Sequence, residues 1–142
     1  MSTQSRIVLL DTHVWVWLIN GDDRLQLSKS LSLINQTARH SNVRVSIISL
    51  WEIGMLEIKG RITLPNDCLA WINSALKAPG IILESITPEI AIFSSRLPGN
   101  FHGDPADRII VTTARILDAI LITADKKILE YSKNNYVRTM KV

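Results

Sequence analysis

Five acidic residues of this chain stand where a catalytic site could form. Asp11 follows the apolar segment RIVLL, and Asp125 follows AILIT, two positions after Thr123. The remaining three are Glu52, Asp104 and Asp107. Carboxylates brought together on a core-facing surface repel one another and are costly to ionise without a cation. Oxygen ligands select a hard ion, Mg²⁺ or Mn²⁺, and such an ion supports phosphodiester hydrolysis.

Helical spacing predicts which of these carboxylates face the core. Asp107 shares a stripe with the apolar residues three, four and seven positions further on, and Glu52 shares one with Met55 and Leu56. Asp104 precedes Pro105, which is a typical first residue of a helix. We therefore predict that Asp107 points into a crevice, whereas Asp104 caps the helix and makes at most an outer-sphere contact with a metal.

Each acid, taken alone, also has a purely structural explanation. Ser49 to Glu52 matches a capping box, Asp104 and Asp125 could cap helices, and acids are favoured at helix starts by the macrodipole. Taken together, with Arg108 as the main basic neighbour, the acids favour a divalent cation instead. Zinc does not fit, because Cys68 and the three histidines show no ligand spacing.

The elements that must position these acids alternate along the chain. Short apolar runs with little alternation are typical of strands in a parallel sheet that is covered on both faces. We predict strands at Arg6–Leu10, Val43–Ile48, Ile81–Ser85, Ala119–Thr123 and Tyr136–Met140. We predict helices at Thr12–Ile19, Ser28–Arg39, Ser49–Ile58, Asp67–Leu76, Pro88–Arg96, Pro105–Leu117 and Asp125–Ser132. The pattern predicts a three-layer α/β/α sandwich, in which strand carboxyl ends and helix amino ends share one ligand-binding edge.

Length and composition exclude several classes of protein. The 142 residues are 46% hydrophobic and 20% charged, which indicates one globular domain over residues 1–142 and excludes a disordered chain or a coiled coil. A single cysteine excludes a disulfide scaffold. No apolar segment is long enough for a membrane helix, and the amino terminus is a poor signal peptide, so we expect a cytoplasmic protein. The net charge is +3, and the excess of lysine and arginine after Asp125 could meet phosphates.

Four segments together resemble the PIN-domain ribonucleases, in particular the VapC toxins of bacterial type II toxin–antitoxin pairs. They are LLDTHVWVWLI, VSIISLWEIGMLEIKGRI, LPGNFHGDPADRIIVTTA and LITADKKILEY. The resemblance extends from about Ile7 to Tyr131. It implies a five-stranded parallel sheet of order 3-2-1-4-5 and endoribonuclease activity with Mg²⁺ or Mn²⁺. It also implies a homodimer and inhibition by a cognate VapB-type antitoxin.

The resemblance assigns roles to individual residues. Asp11, Glu52, Asp107 and Asp125 match the four acids of the family pattern, and we take the three aspartates among them as the metal ligands. Thr123 matches a hydroxyl beside the site, and Asp104 belongs to the DPxDR form of one subgroup, so both are expected in an outer shell. Candidates for contact with RNA phosphates are Arg108, Lys126 and Lys127.

Other residues receive structural interpretations, and two rival functions remain. We expect His13 in a local turn, assign no role to His102, and place the four tryptophans in core or dimer packing. One rival is an aspartyl-phosphate phosphatase or receiver domain, although His13 stands where a phosphatase of that kind usually has a second aspartate. The other is a non-catalytic RNA- or partner-binding domain on the same fold, against which the complete acid set argues.

Overall fold

The computed structural model describes residues 6–142 and contains a parallel sheet of five strands. The strands are β1 (Val8–Leu10), β2 (Val43–Ser46), β3 (Ile81–Glu84), β4 (Ile120–Thr123) and β5 (Arg138–Lys141). Their order across the sheet is β3-β2-β1-β4-β5, and every neighbouring pair is parallel. Leu10, at the end of β1, pairs with Val45 of β2 and Ile122 of β4. The predicted sheet and its strand order are confirmed.

Eight helices of the described residues cover the two faces of this sheet. They are α1 (Thr12–Asn20), α2 (Asp23–Gln26), α3 (Ser30–Ala38), α4 (Ile47–Ile58), α5 (Cys68–Ala75), α6 (Pro88–Phe93), α7 (Pro105–Leu117) and α8 (Lys126–Ser132). Side chains alternate between faces along each strand, so Val8 and Leu10 enter one core while Leu9 enters the other. Burial on both faces explains the nearly continuous apolar strands, and the three-layer sandwich is confirmed.

Several helix starts differ from the sequence predictions. Helix α4 begins at Ile47, because the Ser46 hydroxyl accepts a hydrogen bond of 3.1 Å from the Ile48 amide. The predicted start at Ser49 and its capping box are therefore wrong, and Glu52 lies in the second helical turn. Ser28 does not cap α3 as predicted, since its hydroxyl accepts from the Ser30 amide before the helix starts. Helix α2 was not predicted.

The tryptophans divide between the core and the surface. Trp15 and Trp71 are buried and pack edge to face with their ring centroids 5.6 Å apart. Trp51, in contrast, is 59% exposed on α4, so its predicted packing is not found in this chain alone.

No helix among residues 6–142 is long and apolar enough to span a membrane.

The carboxyl edge of the sheet gathers the predicted acids. Asp11 follows β1 directly and caps α1, while Asp125 follows β4 by two residues and caps α8. Asp104 caps α7, which begins at Pro105 and packs its buried Ile110 and Val111 against the sheet. Parallel strands followed by helices thus bring residues that are distant in sequence to one edge, as the pattern predicts.

Candidate metal centre

Asp11 is the most deeply buried acid of the cluster at this edge. Its carboxylate is held by the Thr12 amide, which donates to Oδ1 at 2.8 Å, and by the Thr123 hydroxyl, which donates to Oδ2 at 2.7 Å. The same Thr123 oxygen accepts from the Asp125 amide at 2.9 Å. One fully buried hydroxyl therefore couples the acid after β1 to the acid after β4.

Glu52 is positioned by a hydroxyl from a different helix. The Thr12 hydroxyl of α1 donates to Glu52 Oε1, and it lies 2.8 Å from the Ser49 hydroxyl. Thr12 and Ser49 are almost fully buried, so this contact is shielded from water. The sequence suggested no role for Thr12 and only a helix cap for Ser49, because Thr12 and Glu52 are 40 residues apart in the chain.

Asp104 and Asp107 meet Glu52 at the amino end of α7. Oxygen atoms of these three carboxylates all lie within 4.8 Å of one another. Asp104 Oδ1 also accepts the Asp107 amide at 3.1 Å, so the predicted cap is confirmed. The Asp104 carboxylate nevertheless lies close to those of Glu52 and Asp107, whereas we predicted at most an outer-sphere contact with the metal. Asp11 and Asp125 lie outside this group of three and use their oxygens for hydroxyl and amide donors.

The electrostatics of the cluster favour a bound cation. Burial raises the pKa of Asp11, Glu52 and Asp107. For Asp107, burial and the charges of the other four acids together raise the pKa to about 8. Within residues 6–142, no lysine or arginine forms an ion pair with any of the five acids. A set of carboxylate oxygens without a lysine or arginine partner has the chemistry of a hard divalent cation site, so these residues fit such an ion.

His102, in the loop before α7, and Arg108, in the first turns of α7, make contacts that the sequence did not predict. The sequence predicted no role for His102, but its Nε2 lies 3.1 Å from Asp107 Oδ2. Arg108 donates to the carbonyl oxygens of Ser94, Phe101 and His102 at 2.8–3.1 Å. Its guanidinium therefore fastens the loop beside the acids, and its contact with RNA stays a prediction. The spacing DPADR alone carries no signal for this role, which depends on where the loop folds back.

Other predicted residues take the following positions. Lys126 and Lys127 are exposed at the start of α8, directly after Asp125. His13 is exposed on α1, with its ring centroid 6.1 Å from that of Trp17. The charges of the other four acids all act on Asp107, so the five acids lie close together, and the two lysines follow Asp125 directly.

The sequence matches a protein-family model and is similar to a known ribonuclease. A family model described as "PIN domain" matches residues 8–134. Ribonuclease VapC22 of Mycobacterium tuberculosis (strain ATCC 25618 / H37Rv) is 34% identical over 122 residues, which cover 85% of this chain and 88% of that protein. The residues matched by the family model include all five acids.

Solved structures share the fold. VapBC2 from Rickettsia felis, bound to a DNA fragment from its promoter, matches with a TM-score of 0.67 and 15% identity, covering 95% of this chain and 98% of that chain. DNA-bound VapBC from Salmonella typhimurium matches with a TM-score of 0.68 and 16% identity, covering 96% and 98%. At this identity the likeness establishes a shared architecture.

Proposed function

The chain belongs to the PIN-domain family and, within it, to the VapC ribonucleases, and from this premise we propose that it is a metal-dependent endoribonuclease acting as the toxin of a VapBC-type pair. The observation that carries the proposal is the carboxylate cluster: oxygens of Glu52, Asp104 and Asp107 lie within 4.8 Å of one another without a lysine or arginine partner among the described residues. The preferred ion is Mg²⁺ or Mn²⁺, since all the ligands offered are oxygens.

The residues divide the work as follows. Asp11, Asp107 and Asp125 would hold the ion, with Asp104 next to Asp107 and Thr123 fixing the orientation of Asp11. When bound, the cation offsets the negative charge that builds up on the phosphate during hydrolysis. Glu52 orients the attacking water, and its raised pKa makes it a stronger base toward that water than a free carboxylate. Thr12 keeps the Glu52 carboxylate in place.

The wider assembly is also part of the proposal. One domain spans residues 1–142 and acts on RNA in the prokaryotic cytoplasm. A VapB-type antitoxin inhibits it by covering the acidic edge, and an antitoxin arginine would pair bidentately with carboxylates there. Exposed apolar side chains outside α4 and α6, Leu69 of α5 and Leu83 of the edge strand β3, support a homodimer.

The proposal is tested by cleavage of labelled RNA with purified protein. We expect Mn²⁺ to support cleavage, EDTA to abolish it, and Asp11→Asn to abolish it while leaving the melting temperature equal or higher, because one repelling charge is removed. Saturating Mn²⁺ should also raise the melting temperature by several degrees, since a ligand at about 100 times its Kd adds about 2.7 kcal/mol of stability.

Three results would contradict this. Cleavage that survives EDTA would exclude a metal-dependent reaction, and RNA binding without any cleavage would favour the non-catalytic rival. A phosphoaspartate trapped at Asp11 would favour the phosphatase or receiver rival instead. Asp67→Asn serves as the control, because Asp67 is an exposed cap of α5 away from the cluster.

A further inference from the structure

An open cavity of about 430 Å³ lies next to the carboxylate cluster. His102 lines the cavity and also contacts Asp107 of the cluster. Lys126, the residue after Asp125, lines the cavity as well. Small-ligand sites occupy about 300–1,000 Å³, so the cavity has room for one nucleotide. A strand of RNA whose phosphate lies at the acids can place a neighbouring nucleotide in this opening.

The wall nearest the acids is aromatic and held in place. The Phe101 ring lies 4.3 Å from the His102 ring and 4.8 Å from the Tyr131 ring, measured between centroids. The loop that carries Phe101 is fastened by the Tyr131 hydroxyl, which donates to the Pro98 carbonyl at 2.5 Å, and by Arg108. Gly99 of this loop packs against the Tyr136 ring, and a Cβ at that position would lie only 2.5 Å from the ring. A fixed aromatic wall suits base stacking because little ordering is needed on binding.

The remaining lining supplies charge and hydrogen bonds. Lys126 and Lys127 are exposed and form no ion pair within residues 6–142. The one acid of the lining, Glu130, is paired with Lys133 at 3.1 Å. The side-chain amides of Asn100 and Asn134 each offer donors and an acceptor, which is what the edge of a nucleobase requires. The cavity therefore combines a stacking surface, base-edge partners and phosphate partners.

We propose that this cavity is a nucleotide subsite that reads one base of single-stranded RNA beside the cleaved bond. The base packs against Phe101 and His102, the amides of Asn100 and Asn134 contact its edge, and the two lysines hold the adjoining phosphate. The inference rests on the proposed nuclease function and deepens it, since it assigns sequence preference to residues outside the carboxylate cluster.

Two measurements test the subsite. The first sequences the fragments that the protein produces from randomised RNA with Mn²⁺. Asn100→Ala and Asn134→Ala should broaden the nucleotide preference at one position next to the cut. The second measures binding of short fluorescent single-stranded RNAs to the Asp107→Asn background. Phe101→Leu should weaken binding by about fivefold or more, because the loss of one base–aromatic stacking contact has an effect of at least about this size.

Matched variants elsewhere provide the controls. Phe93→Leu changes a half-exposed phenylalanine of α6, and Asn73→Ala changes an exposed asparagine of α5 that does not line this cavity. Both should leave preference and binding unchanged. Unchanged preference and binding in the Asn100, Asn134 and Phe101 variants would overturn the subsite while leaving the nuclease intact. Binding that depends on these residues without any cleavage by the unsubstituted protein would overturn the proposed function and retain the subsite.

Discussion

Single hydroxyls and carboxylates decide the chemistry of this site. Thr123 connects Asp11 to Asp125, and Thr12 connects α1 to Glu52, so each acid is oriented by a neighbour from another element. The acids are held close without a lysine or arginine partner in the described chain. The folded protein therefore stores electrostatic repulsion that a cation relieves, and this repulsion should be visible in the pH dependence of stability.

We expect the metal-free protein to lose stability as the pH rises from about 5 to about 8. In the unfolded chain Asp107 has an ordinary pKa of 3.8, whereas in the folded protein burial and its acidic neighbours raise it to about 8. Between these values the folded state binds more protons, so raising the pH favours unfolding. The raised pKa values of Asp11 and Glu52 act in the same direction. Urea midpoints measured in EDTA across this range provide the test.

Asp107→Asn should flatten this pH dependence, because the side chain no longer has to lose a proton in a buried site. Asp23→Asn, which changes an exposed acid of α2, should leave the slope unchanged. An Asp107→Asn protein with the full slope would show that the carboxyl of Asp107 is not the group that titrates.

At the scale of elements, the amino end of α7 does two jobs. Asp104 caps the helix through the Asp107 amide, and its carboxylate also joins the group formed with Glu52 and Asp107. Helix α7 places Asp107 on the stripe that is buried against the sheet, so the acid points to the crevice. Capping and metal binding can be separated, since asparagine caps a helix about as well as aspartate but carries no charge.

We expect Asp104→Ala to lower the free energy of unfolding by about 1 kcal/mol, as the loss of a cap does, and to reduce cleavage in part. Asp104→Asn should keep the stability and show a similar partial loss of cleavage, whereas Asp107→Asn should remove cleavage with little loss of stability. Denaturant unfolding and initial cleavage rates measure the two effects.

Thr87→Ala is the matched control, because Thr87 caps α6 in front of a proline just as Asp104 caps α7. It should lower stability without changing the cleavage rate per folded molecule. If Asp104→Asn is the inactive variant and Asp107→Asn still cleaves, the third metal-binding acid is Asp104.

At the scale of the whole molecule, an apolar stripe flanks the acidic edge. Ile47, Trp51 and Ile58 lie on one face of α4 and are 40%, 59% and 83% exposed. Trp51 directly precedes Glu52, so a partner that packs on this stripe also reaches the carboxylates. Large exposed aromatic side chains beside charged residues are typical of interaction surfaces.

We expect production of the protein to inhibit growth and co-expression of the gene product encoded directly upstream to relieve the inhibition. Trp51→Ala should keep the toxicity and lose most of the relief, because the partner loses its apolar anchor. Growth curves and co-purification of the two chains measure the effect. Ile92→Ala, which removes a similarly exposed apolar side chain from α6, should leave the relief intact. Equal inhibition with and without the upstream product would count against this partner.

Sequence alone determined the sheet and the edge at which the acids meet. Buried parallel strands leave continuous apolar runs, helix caps leave local signals, and in a βαβ arrangement both kinds of signal converge on one edge. Asp11, Asp107 and Asp125 could therefore be placed together although they are far apart in the chain. Residue roles came from the likeness to a known family, since spacing alone leaves each acid open to a capping explanation.

Only the tertiary structure decided which side chains hold the acids and which stay exposed. The sequence predicted a cap at Ser49, whereas the folded chain uses Ser46, and the Ser49 hydroxyl contacts Thr12 instead. The Thr123–Asp11 hydrogen bond spans 112 residues, and no local pattern encodes it. Trp51 is of a residue type that is often buried, yet it remains exposed, because burial depends on which elements pack across α4 rather than on the residue type. Periodicity and caps are properties of short segments, whereas these contacts arise from how remote segments pack.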